Sequence, residues 1–240
     1  MAGCRPADSP TRAIKFLSGD KRSIPATIYT PREKHPPGLI LLHAAGETRE
    51  AWAAFADLAR TRGYLSIAID LRGHGESKAA GPATANPSTF TGADWLAILP
   101  DIAGAKQQLL QAGADPDRLA IVGASIGANL ALVYAETDPA IQALVLLSPG
   151  EKYRGIAAGP AMEKFRGRPV LIMAALGDDY AASSAKALDA IAASKQLCEL
   201  RLFSGAAHGT NLLAAQPISA DQILFWLDQM LGQAKPSASN

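Results

Sequence analysis

Short apolar runs alternate with helix-type patterns along most of the chain, and this alternation constrains the fold more than any other feature. The runs 38–43, 118–123 and 168–175 are too continuously hydrophobic for half-exposed strands and are typical of strands buried on both faces. Between such runs, segments such as 47–63 place apolar residues at helical spacing. This order predicts an α/β fold with a mostly parallel sheet covered by helices on both faces.

The remaining patterns complete the predicted elements. An antiparallel hairpin is expected to open the fold from about Ile14, because the residues alternate in polarity around the turn signal at 18–20. The further predicted strands are 64–70, 141–148 and 198–204. The further predicted helices are 100–112, 126–136, 183–194 and 219–231. Pro100 fits the first residue of its helix, with 94–99 as a separate turn and 78–93 as a long surface connection.

The length and composition indicate one domain. A chain of 240 residues with 48% apolar composition can bury a large core. Residues 13–231 are therefore predicted to form a single domain. Residues 1–12 are predicted to be a disordered N-terminal tether and residues 232–240 a disordered tail, because both ends are polar. Both a monomer and a dimer are compatible with the sequence.

Charge and residue counts argue against several classes of partner. The 23 Lys and Arg residues nearly balance the 22 Asp and Glu residues without a basic block, so no nucleic-acid partner is expected. No apolar run approaches the roughly 20 residues of a membrane span. Two cysteines form no disulfide framework, and four scattered histidines lack zinc-ligand spacing. We therefore expect no metal and no cofactor.

Ser125 lies in the pattern Gly123-x-Ser125-x-Gly127, directly after a predicted buried strand and before a predicted helix. A sharp strand-to-helix turn brings the flanking backbone into close contact, so glycines avoid a clash while the serine is held at the tip. The same turn puts the Ile126 N–H at a helix N-terminus, where it can donate to a developing oxyanion. Ser125 is therefore a candidate nucleophile.

A serine nucleophile needs a base, and the base needs an acid that orients it. His208 follows the last predicted strand in the loop "SGAAHGT", whereas His35 stands in a proline-rich turn and is interpreted as a solvated bystander. Asp178 and Asp179 follow another strand. The carboxyl ends of parallel strands meet at one edge of a sheet, so the serine, one aspartate and His208 are expected to converge there.

Five motifs in order, "LLHAAG", "DLRGHGES", "GASIG", "LGDDY" and "AAHGT", make the chain resemble the α/β-hydrolase superfamily, including its serine-esterase and dienelactone-hydrolase-like branch. The resemblance implies that Ser125 is the nucleophile, His208 the general base and then acid, and Asp178 the orienting carboxylate. It also implies a second oxyanion N–H in the loop after the early strand. Counting from the histidine of "HAAG", Ala45 is the best match and Ala44 the next. The loop departs from the family pattern, because "HAAG" replaces the more usual glycine-rich form.

Other polar residues at strand ends are assigned scaffold roles by the same resemblance. His43 and His74 are expected to bond to neighbouring backbone instead of acting as catalytic bases. Asp70 precedes a loop that the family uses for packing, so it is not taken as the acid of the triad.

The resemblance also narrows the chemistry. Related dehalogenases and epoxide hydrolases use aspartate as the nucleophile and dienelactone hydrolases use cysteine, whereas this chain has serine. About twenty residues separate the strands 141–148 and 168–175, too few for a cap domain, so an open site is expected. The residues that could line an acyl or alcohol pocket are Ala44, Trp95, Tyr153, Met162 and Tyr180, with ordinary packing as the alternative for the four bulky ones.

The function predicted from these observations is cofactor-independent hydrolysis of small to medium carboxylic esters by a serine carboxylesterase. A thioesterase or peptidase-like acyl hydrolase is the alternative, because the same triad serves all three reactions. A non-catalytic ligand-binding protein on this fold is a further alternative, although all three triad positions are filled.

The first residues allow two interpretations of location. Ala2-Gly3-Cys4 followed by a polar stretch is similar to the end of a bacterial lipoprotein signal, which would place the protein in the periplasm with acyl chains on Cys4. The favoured interpretation is a cytoplasmic protein with an incidental Cys4.

Overall fold

The computed structural model describes residues 10–79, 86–165, 167–192 and 197–232. Its strands are β1 (Thr11–Leu17), β2 (Ser23–Tyr29), β3 (Gly38–Leu42), β4 (Leu65–Ile69), β5 (Leu119–Ala124), β6 (Ile141–Leu147), β7 (Lys152–Tyr153), β8 (Ile156–Ala157), β9 (Val170–Ala175) and β10 (Cys198–Phe203). Eight of them form one sheet in the order β1-β2-β4-β3-β5-β6-β9-β10. The strands from β4 to β10 in this order pair in parallel, whereas β2 is antiparallel to both of its neighbours.

The helices are α1 (Ala53–Thr61), α2 (Gly92–Leu96), α3 (Leu99–Gln111), α4 (Ile126–Thr137), α5 (Gly159–Lys164), α6 (Asp179–Ala192), α7 (Asn211–Ala215) and α8 (Ile218–Leu231). They cover the sheet on both faces, because α3, α4 and α6 pack in one core cluster and α1, α7 and α8 in the other. Successive strand residues alternate between the two cores: Ile40 and Leu42 face one, Leu39 and Leu41 the other. The predicted α/β fold is thereby confirmed.

The central strands are apolar because helices cover both faces of the sheet. Every residue of β3, β4, β5 and β9 is buried, since helices exclude water from both faces. The edge strand β10 is only half-buried along its whole length, and β1 is mostly exposed. The loops that follow the buried strands therefore begin at fixed positions from which water is excluded.

Most predicted elements agree with the structure, but several boundaries differ, and the short helix α2 (Gly92–Leu96) occupies part of the predicted connection 78–93 and of the predicted turn 94–99. The N-terminal hairpin is confirmed, and α3 begins at Leu99 with Pro100 in its first turn. The predicted helix 183–194 begins four residues earlier, at Asp179, because an acidic residue is favourable at a helix N-terminus. Strand β1 begins at Thr11, inside the predicted tether 1–12. Residues 1–9 and 233–240 of the two predicted tails lie outside the described residues.

The segment between β6 and β9 holds the β7–β8 hairpin and the six-residue α5. No cap domain is inserted there, as the short segment predicts. Among the described residues, no helix is long and apolar enough to cross a membrane.

Candidate active site

Ser125 occupies a strained turn between β5 and α4. Its φ and ψ angles are 55° and −120°, a conformation that costs a non-glycine residue about 1–3 kcal/mol. The turn is held by close backbone contacts on either side. A Cβ added to Gly123 would clash with the Gly127 carbonyl, and one added to Gly127 would clash with the Leu42 carbonyl. Only glycine fits at both positions, which accounts for the spacing of the motif.

Three side chains from three strand ends form one hydrogen-bonded chain. His208 Nε2 lies 2.8 Å from Ser125 Oγ, and His208 Nδ1 lies 2.5 Å from Asp178 Oδ2. With Nδ1–H donating to the carboxylate, Nε2 is left as an acceptor for the serine hydroxyl. This arrangement can remove a proton from Ser125 and hold the resulting imidazolium beside a carboxylate.

The two adjacent aspartates behave differently. Asp178 lies in the turn after β9, and its carboxylate contacts His208. Asp179 is the first residue of α6 and is exposed. The structure therefore brings Asp178, and not Asp179, to the imidazole.

The backbone next to His208 is fixed by a buried serine that the sequence analysis did not single out. Ser148 follows β6, is fully buried, and accepts a hydrogen bond from the Gly209 N–H at 3.0 Å. Gly209 has a φ of 58°, and a Cβ added there would contact the side chains of Ala44 and Ala124. A polar residue directly after the apolar run 141–147 was the available signal for Ser148.

The loop after β3 supplies candidates for the second oxyanion donor. The Ala44 N–H donates to Glu47 Oε2 at 3.0 Å, so this amide is already engaged. Ala45 is the next residue, is exposed, and precedes Gly46, which has a φ of 84°. Ile126 is the first residue of α4, and the first amides of a helix have no intrahelical acceptor. The contacts thus favour Ala45 over Ala44 as the partner of Ile126.

Glu47 links that loop to the loop of His208. Its Oε2 accepts from the Ala44 N–H, and its Oε1 accepts from Thr210 Oγ1 at 2.5 Å. Thr210 stands two residues after His208. One carboxylate therefore ties together the two loops on either side of Ser125. The sequence offered only a weak signal for it, an acidic residue directly after "HAAG".

His43 and His74 lie behind the site. His43 is fully buried, its Nδ1–H donates to the Ala44 carbonyl at 2.7 Å, and its Nε2 accepts from the Leu71 N–H at 3.0 Å. Burial lowers the pKa of His43 to about 4, so the ring is neutral at pH 7. His74 donates through Nδ1 to the Arg72 carbonyl at 3.0 Å, and burial lowers its pKa as well. These contacts favour a scaffold role for both.

Asp70 is also engaged within the scaffold. Its carboxylate accepts from the Arg49 N–H at 2.8 Å and from the Glu76 N–H at 2.9 Å, and it pairs with the Arg49 guanidinium. It is fully buried, and both of its oxygens are occupied. Its position matches the expectation that it is not the acid of the triad.

The predicted lining residues divide into two groups. Tyr153 is half-buried, with its ring centroid 6.1 Å from that of His208, and Tyr180 packs edge-on against it at 5.3 Å. Burial raises the pKa of Tyr153 to about 12, so its hydroxyl stays protonated. Met162 and Trp95 are fully buried in the core, and Ala44 is 5% exposed, so their packing explains these three residues without a lining role.

A cleft of about 320 Å³ opens beside the loop after β3. Its lining includes Ala45, Gly46 and Glu47 from this loop, together with Lys78 and Arg154. Ser125 and His208 are not among its lining residues, whereas Ala45, the candidate oxyanion donor, is. Within the described ranges, no group of three or more His, Cys, Asp or Glu side chains is arranged to hold a metal ion.

Comparisons with known proteins agree on the fold. An esterase from Pyrococcus furiosus has a TM-score of 0.75 at 15% identity, over 92% of this chain and 93% of that one. A dienelactone hydrolase from Anabaena variabilis has a TM-score of 0.71 at 17% identity, over 92% and 98%. An acylaminoacyl peptidase from Pyrococcus horikoshii has a TM-score of 0.76 at 15% identity, but only 43% of its chain is covered, against 95% of this one.

These structural likenesses show a shared fold, and no curated protein matches the sequence. The family comparison is more specific, because the model of the α/β hydrolase fold matches residues 37–226. That range contains Ser125, Asp178 and His208 together with six parallel strands of the sheet. The chain therefore belongs to the α/β-hydrolase family.

Proposed function

We propose that the protein is a serine carboxylesterase that hydrolyses small to medium carboxylic esters without a cofactor. Ser125 is the nucleophile, His208 is the general base and then the general acid, and Asp178 orients the imidazole. The N–H groups of Ile126 and Ala45 stabilise the oxyanion. Membership of the α/β-hydrolase family supports hydrolytic chemistry, and the triad geometry supports these roles.

In the acylation step, Ser125 Oγ attacks the ester carbonyl carbon while its proton moves to His208 Nε2. The carbonyl oxygen becomes negative and accepts hydrogen bonds from Ile126 and Ala45. When the tetrahedral intermediate collapses, the bond to the alcohol oxygen breaks and His208 gives that oxygen its proton. An acyl group is left on Ser125.

In the deacylation step, water replaces the alcohol. A proton of this water moves to His208 Nε2 as the water oxygen attacks the acyl carbon. The second tetrahedral intermediate releases Ser125 Oγ, which regains a proton from His208, and the carboxylic acid leaves. Asp178 stabilises the imidazolium in both steps through its contact with Nδ1.

One observation carries this proposal: the unbroken chain from Ser125 Oγ through His208 to Asp178, with distances of 2.8 and 2.5 Å. A binding protein has no need for a serine in a strained turn that is hydrogen-bonded to an imidazole. The short segment between β6 and β9 leaves the site without a cap, which suits esters that enter from solvent.

The test is a panel of p-nitrophenyl esters with acyl chains from acetate to laurate, assayed with the wild type and with Ser125→Ala. We expect turnover that is highest for the shorter chains and absent from the variant. Acyl-thioester and peptide p-nitroanilide substrates run in parallel. A higher kcat/KM for either of them would favour the thioesterase or peptidase alternative. No turnover of any substrate, with the fold intact, would favour a ligand-binding protein.

A further inference from the structure

The cleft beside Ala45 contains two cations without a carboxylate partner. Lys78 and Arg154 both line it and are exposed. Neither forms an ion pair with any carboxylate in the part of the chain that the structure describes, whereas Arg49, in the loop after β3, pairs with Glu50, Asp70 and Glu76. Two unpaired cations in the lining of a concave site attract an anion and hold it more strongly than isolated surface charges do.

The nearby acidic groups form no ion pair with these cations. Glu47 lines the same cleft, but both of its oxygens accept hydrogen bonds, from Ala44 and Thr210. Glu76 and Glu50 flank the loops and pair with Arg49, and Glu76 also pairs with Lys15.

The net charge of the lining suits a single negative charge. Lys78 and Arg154 contribute two positive charges and Glu47 one negative charge. His74, also in the lining, is neutral because burial lowers its pKa. The charged lining side chains therefore sum to one positive charge, which matches a carboxylate and is too little to balance a phosphate dianion.

The cleft also lies where one end of an ester would reach it. Ala45 is both a lining residue and the proposed oxyanion donor, so an ester carbonyl held there has the cleft next to it. On the other side, Arg154 follows Tyr153, whose ring lies 6.1 Å from that of His208. Arg154 and Gly155, both with positive φ, form the turn between β7 and β8, and Arg154 is a lining residue of the cleft.

We propose that the substrates are esters that carry a free carboxylate, and that Lys78 and Arg154 bind this carboxylate in the cleft. The inference rests on the proposed esterase function and adds a substrate class to it. The carboxylate could belong to the acyl half, as in a half-ester of a dicarboxylic acid. It could equally belong to the alcohol half, as in an acylated hydroxy acid. The recognition chemistry is the same for both.

The experiment compares matched anionic and neutral esters by pH-stat titration. Monoethyl glutarate and ethyl pentanoate form the acyl-side pair, and 4-acetoxybutanoate and butyl acetate form the alcohol-side pair. For at least one pair, we expect the anionic ester to have the higher kcat/KM in the wild type. The quantity compared is the kcat/KM of the anionic ester divided by that of its neutral partner. We expect Arg154→Gln and Lys78→Gln each to lower this anionic-to-neutral ratio by about fivefold, mainly by raising the KM of the anionic ester. Salt at about 1 M, where the Debye length is about 3 Å, should also lower it.

Lys186→Gln is the matched control, because Lys186 is exposed on α6 outside the cleft and its loss changes the net charge equally. Equal or better turnover of the neutral esters in both pairs, or the same ratio in Arg154→Gln and Lys186→Gln, would overturn the inference and leave the esterase proposal standing. Turnover of none of the four esters, nor of the p-nitrophenyl panel, would overturn both.

Discussion

Two loops at the same edge of the sheet carry a histidine each, and their contacts differ in kind. The loop after β3 holds His43, which is fully buried and bonded to one backbone carbonyl and one backbone N–H. The loop after β10 holds His208, whose side chain is 40% exposed and whose partners are a carboxylate and a hydroxyl. Position at a strand end therefore does not distinguish the proposed base from a scaffold histidine, whereas the partners of the two ring nitrogens differ between them.

The different contacts of His43 and His208 suit different roles for the two loops. His43 fixes the Ala44 carbonyl and so shapes the loop that carries Ala45. Its low pKa keeps the ring neutral, which suits a structural donor and acceptor. His208 can exchange a proton with Ser125 because its Nε2 faces the hydroxyl and solvent reaches the ring. The following predictions test this division, starting with the largest effect.

Removing the proposed nucleophile or base should have the largest effect. Ser125→Ala and His208→Ala should each lower kcat by about 10⁴- to 10⁶-fold, and the double variant should lose little more, because triad members act as a unit. Steady-state kinetics with p-nitrophenyl butyrate measures this, and organophosphate labelling followed by peptide mass spectrometry should find the label on Ser125.

His35→Gln is the control for that comparison, since His35 lies in the loop before β3 and is exposed. Its kcat should equal that of the wild type. A larger loss of kcat in His43→Asn than in His208→Ala, at equal thermal stability, would mean that the base lies in the other loop.

The two adjacent aspartates give the next largest difference. Asp178→Asn should lower kcat by about 10³- to 10⁴-fold, because an amide cannot hold the imidazole in the same tautomer or stabilise its cation. Asp179→Asn should leave kcat within about twofold, since an exposed first-turn acid affects only helix stability. If the two variants exchanged these results, Asp179 would be the orienting acid.

The buried state of His43 predicts a pH dependence of stability. In the unfolded chain the ring binds a proton below its ordinary pKa of 6.5, whereas in the folded protein it does so only near pH 4. Protons therefore favour the unfolded state, and the stability present above pH 6.5 is lost as the pH falls towards 4. The loss amounts to at most about 3 kcal/mol, at 1.36 kcal/mol per pKa unit.

Urea unfolding at pH 7 and pH 5 measures that loss, and His43→Asn should show a smaller difference between the two pH values than the wild type. His35→Asn keeps His43 and should retain the full difference. An unchanged pH dependence in His43→Asn would show that His43 does not stay neutral on folding.

Much of the fold could be predicted because burial on both faces leaves a simple pattern. The continuous apolar runs of β3, β5 and β9, with helical spacing between them, were sufficient for the parallel sheet. The start of α6 was placed too late, because the acidic pair Asp178 and Asp179 is typical of a loop as well as of a helix N-terminus. The β7–β8 hairpin, with strands of two residues each, has too short a pattern to detect.

The candidate site was predictable to the extent that single residues follow strands. Ser125, Asp178 and His208 each follow a run that was predicted to be a strand. Their convergence was therefore predictable from the parallel sheet. Ser148, Glu47 and the cleft residues depend on which loops touch, and nothing in the sequence encodes that contact locally. Trp95 and Met162 follow the packing alternative, because large side chains near strand ends can fill the core.

The smallest expected effect concerns Glu47, which couples the two loops. Glu47→Ala removes the acceptors of the Ala44 N–H and the Thr210 hydroxyl, so the Ala45 donor and His208 lose a shared support. We expect kcat to fall by about tenfold with little change in KM, because the lost alignment matters most in the transition state. Glu47→Gln should recover most of the rate, since its amide oxygen can accept from Ala44 while its amide nitrogen donates to Thr210.

The neighbouring Glu50→Gln serves as the control, because Glu50 is exposed and pairs only at the surface with Arg49. A rate in Glu47→Gln as low as in Glu47→Ala would mean that the charge of Glu47, and not its hydrogen bonds, supports the reaction, as expected if the carboxylate stabilises the His208 cation. Wild-type kinetics in both Glu47 variants would show instead that the two loops hold their positions independently.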